Sequence, residues 1–271
     1  MKLRRIAGAL GAEIEAVDLA ARLSPDAVAE IRRAFLEHQV IFFRDQSLAP
    51  AQFMAFARHM GRPIEYPFVK GIEGFAEVIE VKKLEHERQN FGGIWHSDTA
   101  YLAEPPMGSM LLAREVPPYG GDTEFASQYA AYEALSEGMR RLLDDLKAVN
   151  ASSKADATRT REDLTRQKEI VAEYVAEHPV VRTHPETGRK ALYVNVGHTV
   201  RFSGMTEEES APLLAFLFRH QVRPEFTCRF QWRAGSLAFW DNRCTQHNPV
   251  NDYHGHRRVM HRITLAGDKP R

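Results

Sequence analysis

Apolar positions in this chain cluster in short runs, most of four to eight residues, separated by Gly, Pro and charged residues. Val40-Ile41-Phe42-Phe43 is β-branched and aromatic throughout, and short enough to be a buried strand. Further strand signals fall at Glu77–Val81, Met107–Ala113, Asp122–Ala126, Val180–His184, Ala191–Val196, Phe226–Trp232, Ser236–Asp241 and Arg258–Leu265, with one or two short strands within residues 1–20. Helical spacing is rarer. Ser24-Pro25 opens a helix carrying Ala27, Ile31, Ala34 and Phe35 on one face, with Ser24 as N-cap and Pro25 in the first helical position. Other helices are predicted at about 50–60, closed by Gly61, at 128–146 and at 206–220. Many short strands with few helices, and no linker, predict one domain over 1–271, mainly β within the α+β class, with helices outside a sandwich or barrel-like core. Residues 151–173 are polar, charge-dense and nearly free of aromatics, as in a lid over a site.

Composition narrows the function classes. Lys+Arg and Asp+Glu both number 36, so the formal net charge is zero, which argues against nucleic acid or an anionic membrane surface as partner. No apolar run approaches 18 residues, and Glu13, Glu15 and Asp18 interrupt any signal-peptide core at the start. With only Cys228 and Cys244, no disulfide framework is expected, and a reducing cytoplasm fits.

Two His-x-Asp/Glu pairs occur, about the number that chance supplies: His96/Asp98 and His184/Glu186. Residues i and i+2 of a strand point the same way, so such a pair delivers an imidazole and a carboxylate to one ion. Mononuclear iron oxygenases need two His and one carboxylate on one face of the metal. His184-Pro185-Glu186-Thr187-Gly188 reads as a surface hairpin turn, whereas His96 follows the Gly92-Gly93 loop, where an open site is more easily built. His247, on a distant strand end, is a candidate third ligand and equally a hydrogen-bonded loop histidine. Arg258 and Arg262 share one face of a strand; two inward guanidiniums need anions, and Arg suits a carboxylate bidentately.

Several separated motifs then fall in order: Leu10-Gly11-Ala12-Glu13-Ile14, Val40-Ile41-Phe42-Phe43-Arg44, Trp95-His96-Ser97-Asp98, Gly120-Gly121-Asp122-Thr123, Glu177-His178-Pro179-Val180-Val181-Arg182-Thr183-His184-Pro185, Trp240-Asp241-Asn242-Arg243, Arg257-Arg258-Val259-Met260-His261-Arg262 and Gly267-Asp268-Lys269-Pro270. Nearly end to end, the chain resembles the TauD/TfdA family of Fe(II)- and 2-oxoglutarate-dependent dioxygenases, which includes taurine dioxygenase, alkylsulfatases and aryloxyalkanoate dioxygenases. The resemblance implies a double-stranded β-helix (jelly roll) with flanking helices. It implies Fe(II), 2-oxoglutarate and O₂ as the working set, succinate and CO₂ as products, a small anionic substrate, and a homodimer or tetramer.

Residue by residue, it implies His96, Asp98 and His247 as iron ligands. Thr123 and Arg258, the latter eleven after His247, match 2-oxoglutarate contacts. Arg262, fifteen after His247, matches an arginine near the co-substrate and the acidic group of the substrate. Tyr66 matches a substrate-contacting tyrosine, and His198 aligns with an aromatic wall position. Pro63 stands where a sulfonate-contacting His is expected, and Gly92 where an Asn is expected, which turns the expectation from taurine toward a bulkier sulfonate, an alkyl sulfate or an aryloxyalkanoate. Val69, Lys70 and the 82–94 loop are expected to help shape that pocket. Taurine dioxygenase proper, and a zinc hydrolase on the same ligands, are the alternatives.

Overall fold

The computed structural model describes residues 1–90, 92–154 and 173–271. Strands β1 (Lys2–Arg5) and β2 (Ala12–Glu15) precede helix α1 (Pro25–His38), strand β3 (Val40–Phe43) and helix α2 (Pro50–Met60). Strands β4 (Pro63–Ile64), β5 (Gly71–Ile72), β6 (Phe75–Lys83), β7 (Gly108–Glu115) and β8 (Thr123–Ser127) lead into helices α3 (Gln128–Glu133) and α4 (Glu137–Asp144). Then come β9 (Lys147–Ala151), β10 (Val175–Pro179), β11 (Val181–Thr183), β12 (Lys190–Leu192), β13 (Thr199–Phe202) and α5 (Glu207–His220). The chain ends with β14 (Thr227–Phe230), β15 (Leu237–Asp241), β16 (Thr245–Pro249) and β17 (Arg258–Leu265).

Nine strands form the main sheet in the order β1-β2-β3-β15-β7-β17-β6-β5, with β4 paired to β17. A facing three-stranded sheet runs β14-β8-β16, and together they make the double-stranded β-helix, a jelly roll. The period-2 alternation of strands divides the main sheet cleanly. Ile41, Phe43, Met110, Leu112, Leu237, Phe239 and Ile263 pack against Ile31, Phe35, Phe53, Met54 and Ala57 of α1 and α2. Their sequence neighbours Val40, Phe42, Leu111, Ala113, Ala238, Trp240 and Met260 face the other way, onto Phe125, Cys228 and Phe230 of the small sheet. Val40–Phe43 is an unbroken apolar run because both of its faces are covered. Arg258, Met260 and Arg262 share the face toward the small sheet, which is where a site between the sheets needs charge.

Several predicted elements form with small boundary shifts. Ser24 caps α1 by accepting from the Ala27 amide, and β17 spans Arg258–Leu265 as predicted. The single helix predicted over 128–146 is instead two, because the Ser136 hydroxyl accepts from the Met139 amide and restarts the helix after a break at Ala134-Leu135. The strand predicted over 191–196 stops at Leu192. There Asn195 accepts from the His198 amide and donates its own amide to Thr199 Oγ1, which turns the chain into β13. Strands β9, β10 and β13 were not predicted; they form a separate sheet in the order β10-β9-β13. Residues 155–172, most of the predicted lid, lie outside the described residues.

Phe239 stacks on Phe35 at 3.9 Å between ring centroids, fully buried between β15 and α1. Phe239→Ala should destabilise the fold by about 3–5 kcal/mol, measured by chemical denaturation. A loss under about 1 kcal/mol would remove this contact from the core.

Candidate active site

His96 and His247 are brought together by backbone pairing. The His96 amide donates to the His247 carbonyl (3.1 Å) and the His247 amide to the His96 carbonyl (2.9 Å), an antiparallel bridge that links the Gly-rich loop to β16. The rings lie 4.2 Å apart, and His96 Nδ1 contacts the Ile94 carbonyl at 2.7 Å. Beyond this bridge the chain does not continue as a strand, contrary to expectation. It turns, with Thr99 at φ +42°, and that turn carries Asp98 toward both imidazoles.

Asp98 Oδ1 lies 3.6 Å from His96 Nε2 and 3.8 Å from His247 Nε2. Those separations exceed a hydrogen bond and suit an ion held at about 2 Å by each donor. Two imidazoles and a carboxylate, their donor atoms within 4.8 Å of one another, therefore fit a divalent transition metal. The charge state also fits. Burial by itself would raise the Asp98 carboxyl, but Arg262, 2.7 Å from Oδ2, together with the histidines holds it well below the usual carboxylate range. Burial and the neighbouring His96 keep His247 far below its ordinary value, so it offers a neutral nitrogen.

Arg258 lies four residues along β17 from Arg262, roughly 13 Å away. It is buried, its Nε and Nη2 have no partner among the described residues, and burial lowers its pKa. Its guanidinium sits 5.6 Å from the Trp232 ring centroid, and Trp232 Nε1 donates to Thr123 Oγ1 at 3.0 Å. Because Trp232 occupies an acceptor lone pair of Thr123, the hydroxyl proton remains free to donate. A buried arginine with two unused donors, beside a hydroxyl free to donate, fits the carboxylate of an anionic co-substrate such as 2-oxoglutarate.

The substrate-side candidates converge on the same place. Arg262 lies 5.2 Å from the centroid of Tyr66, whose phenol burial pushes up to about 12. A Cβ at Gly92 would stand 3.0 Å from His96 Cε1, so the loop passes close over the histidine ring. The ring of His198 meets His96 edge-on at 5.8 Å and Tyr101 at 4.9 Å. Phe68, Tyr101 and Tyr174 were not singled out in the sequence; their rings form a contiguous series with Tyr66 at 5.5–6.3 Å. Tyr101 had a legible signal in its place three residues after Asp98, whereas Tyr174 joins only through the fold.

His184 corrects a second expectation. The hairpin between β11 and β12 forms, but His184 is buried rather than on the surface, and its Nε2 lies 3.0 Å from Asp241 Oδ2. Arg243 closes on both oxygens of Asp241 at 2.7–2.8 Å and reaches Glu186 at 2.7 Å, while His184 Nδ1 accepts from two backbone amides. His184, Asp241 and Cys244 thus cluster like metal ligands, yet His184 and Asp241 are engaged in bracing the turn that leads to β16.

The family profile described as "Taurine catabolism dioxygenase TauD, TfdA family" matches residues 2–264. The chain belongs to the TauD/TfdA family. It is 38% identical to an alpha-ketoglutarate-dependent sulfate ester dioxygenase of Pseudomonas putida, over 98% of this chain and 89% of that protein. It is also 38% identical to an alkylsulfatase of Acinetobacter baylyi, over 99% and 86%. Among solved structures, AAD-2 in complex with Mn(II) and N-oxalylglycine superposes with a TM-score of 0.81 at 29% identity, covering 99% of this chain and 98% of that one. Membership in this TauD/TfdA dioxygenase family makes the protein an oxidoreductase. No helix among the described residues is long and apolar enough to cross a membrane.

In this TauD/TfdA chain burial lowers His178, and pushes His198 down to about 3. Both folded values lie below the unfolded value near 6.5, so the unfolded state binds more protons as the medium is acidified. Their contribution to stability is complete above about pH 6.5 and is lost as pH falls, at up to about 1.4 kcal/mol per pH unit for each histidine. Denaturation midpoints of the metal-free protein between pH 7 and 5 should show this loss, and His198→Asn should flatten it. An unchanged slope would show that His198 is not held neutral.

Proposed function

We propose that this protein is an Fe(II)- and 2-oxoglutarate-dependent dioxygenase that hydroxylates a small anionic organic substrate: a sulfonate, alkyl sulfate or aryloxyalkanoate. The observation that carries the reading is the pairing of two groups between the sheets: His96, Asp98 and His247 with converging donor atoms, and Arg258, with two unused donors, linked through the Trp232 ring to Thr123. In this reading His96, Asp98 and His247 hold the iron, and Thr123 and Arg258 bind the far carboxylate of 2-oxoglutarate. Arg262 serves the co-substrate and the acidic group of the substrate, while Tyr66, Gly92 and His198 line the substrate side. When bound, Fe(II) with 2-oxoglutarate and O₂ supplies the oxidising power that hydroxylates a C–H bond, with release of succinate and CO₂.

The protein's own task is placement and exclusion of water. Arg258 and Thr123 orient the co-substrate from its far end, and the Trp232 ring covers the guanidinium on one side. The ring series Tyr66, Phe68, Tyr101 and His198 gives the substrate an apolar wall next to the ligand set. Hydroxylation at a carbon bearing an ester or ether oxygen yields a product that collapses to a carbonyl compound plus sulfate or a phenol.

A sulfate ester is favoured over taurine. Pro63 is tied into a strand opposite Leu265, Gly92 offers no side chain, and the wall is aromatic, so a small zwitterion would find few polar contacts there. The sulfate ester dioxygenase and alkylsulfatase relatives point the same way. A zinc hydrolase on these ligands would have no use for Arg258. The reading extends to one catalytic unit over 1–271, a homodimer or tetramer, and the cytoplasm, where the free thiols of Cys228 and Cys244 are at home.

Anaerobic addition of Fe(II) and 2-oxoglutarate should give a weak visible charge-transfer band. The band should shift when a suitable member of a panel of alkyl sulfates, sulfonates and aryloxy acids is added; no band would sink the reading. His96→Ala or Asp98→Ala should abolish turnover. Arg258→Ala should raise the 2-oxoglutarate requirement on the order of 10–100-fold while leaving iron affinity nearly unchanged. An unchanged requirement would remove Arg258 from that role.

A further inference from the structure

A carboxylate ligand has two oxygens, and the metal site described above needs only one of them. If Asp98 bound through both, it would take one of the three positions that two histidines and a single carboxylate oxygen leave open. Something in the fold has to occupy the other oxygen. Oδ2 accepts from Arg262 Nη2 at 2.7 Å and from Ser109 Oγ at 2.7 Å, while Oδ1 faces His96 and His247.

Ser109 is the second residue of β7, fully buried, and its own orientation is dictated from behind. Its oxygen accepts from Asn242 Nδ2 and from Arg262 Nη2, each at 3.2 Å. A hydroxyl has two lone pairs and one proton, so with both lone pairs taken its proton goes to Asp98. Asn242 cannot be turned the other way, because its Oδ1 accepts from Trp240 Nε1, a group that only donates, at 2.9 Å. The same Oδ1 receives the Asp98 amide at 3.4 Å. Polarity therefore runs in one direction, from the Trp240 indole through Asn242 and Ser109 to Asp98 Oδ2.

We propose that Ser109 is a positioning residue for Asp98: oriented by Asn242 and Trp240, it occupies Oδ2 so that the carboxylate presents a single oxygen to the metal. The inference rests on the iron assignment made under the proposed function. Arg262 does not make Ser109 redundant. Ser109 is a second donor to Oδ2, and by accepting from Arg262 Nη2 at 3.2 Å it also holds the guanidinium against that oxygen.

The test is an anaerobic Fe(II) titration of the purified protein and of Ser109→Ala, followed by addition of 2-oxoglutarate. Circular dichroism and thermal midpoint serve as controls for folding. Ser109→Ala should bind Fe(II) roughly 10–100-fold more weakly than the native protein and give a displaced or weakened charge-transfer band. A folded Ser109→Ala protein with native affinity and an unchanged band overturns the proposal. If Ser109→Ala does not fold, Ser109→Cys, close in size and a poor donor, is titrated instead. Weaker binding then supports the proposal, and native binding with a native band overturns it. Failure of the native protein itself to bind Fe(II) with 2-oxoglutarate would overturn the iron assignment, a distinct result from native binding that is indifferent to Ser109.

Discussion

The buried ion pair between Asp98 and Arg262 constrains everything around it. Two charges, each about 95% or more removed from solvent, sit 2.7 Å apart between the sheets. Taking such charges out of water costs several kcal/mol each, and their attraction repays it only with good geometry and further hydrogen bonds. Those bonds are present: Ser109 on the carboxylate, and Ser109 again on the guanidinium. The pair sets Asp98 firmly as an anion, acts with Ser109 on Oδ2 so that Oδ1 faces the histidines, and determines that β17 must carry an arginine inward at that position.

The jelly roll makes the pair possible because its main sheet is buried on both faces. One face holds α1 and α2 on a continuous apolar layer, which anchors β3, β7, β15 and β17 without help from the site. The other face is less uniformly apolar: Asp98, His247, Arg258 and Arg262 sit around Trp240, Phe125 and Met260. On β17 both characters occur within five residues, since Met260 is core while Arg258 and Arg262 on the same face are buried cations.

A separate buried network, His184, Asp241, Arg243 and Glu186, braces the turn between β15 and β16. Arg32 of α1 also reaches Glu186 at 2.5 Å, which ties the helix layer to the strand that carries His247. Two groupings of His and carboxylate thus serve different ends. In the first, Asp98 Oδ1 and the Nε2 atoms of His96 and His247 remain uncommitted; in the second, arginine and backbone amides take up the polar atoms of Asp241 and His184.

The local pattern by itself determined a good deal. It marked the buried strand Val40–Phe43, the capped helix from Pro25 and the inward pair Arg258 and Arg262, whereas the candidates His96, Asp98, His247 and Thr123 and the jelly roll came from the family resemblance that the ordered motifs carry. The strand, the helix and the arginine pair were legible because each depends on chain-local physics: a period of two, or a hydroxyl before a helix. What the tertiary structure decided concerns partners distant in sequence. Ser109 and Trp232 look like ordinary core residues until Asp98 and Thr123 are brought against them. His184 reads as a surface turn until Asp241 buries it, and β9, β10 and β13 lack an alternating signature because their pairing is set by neighbours. A residue's type and spacing limit what it can donate or accept; only the fold decides which group, dozens of positions away, receives it.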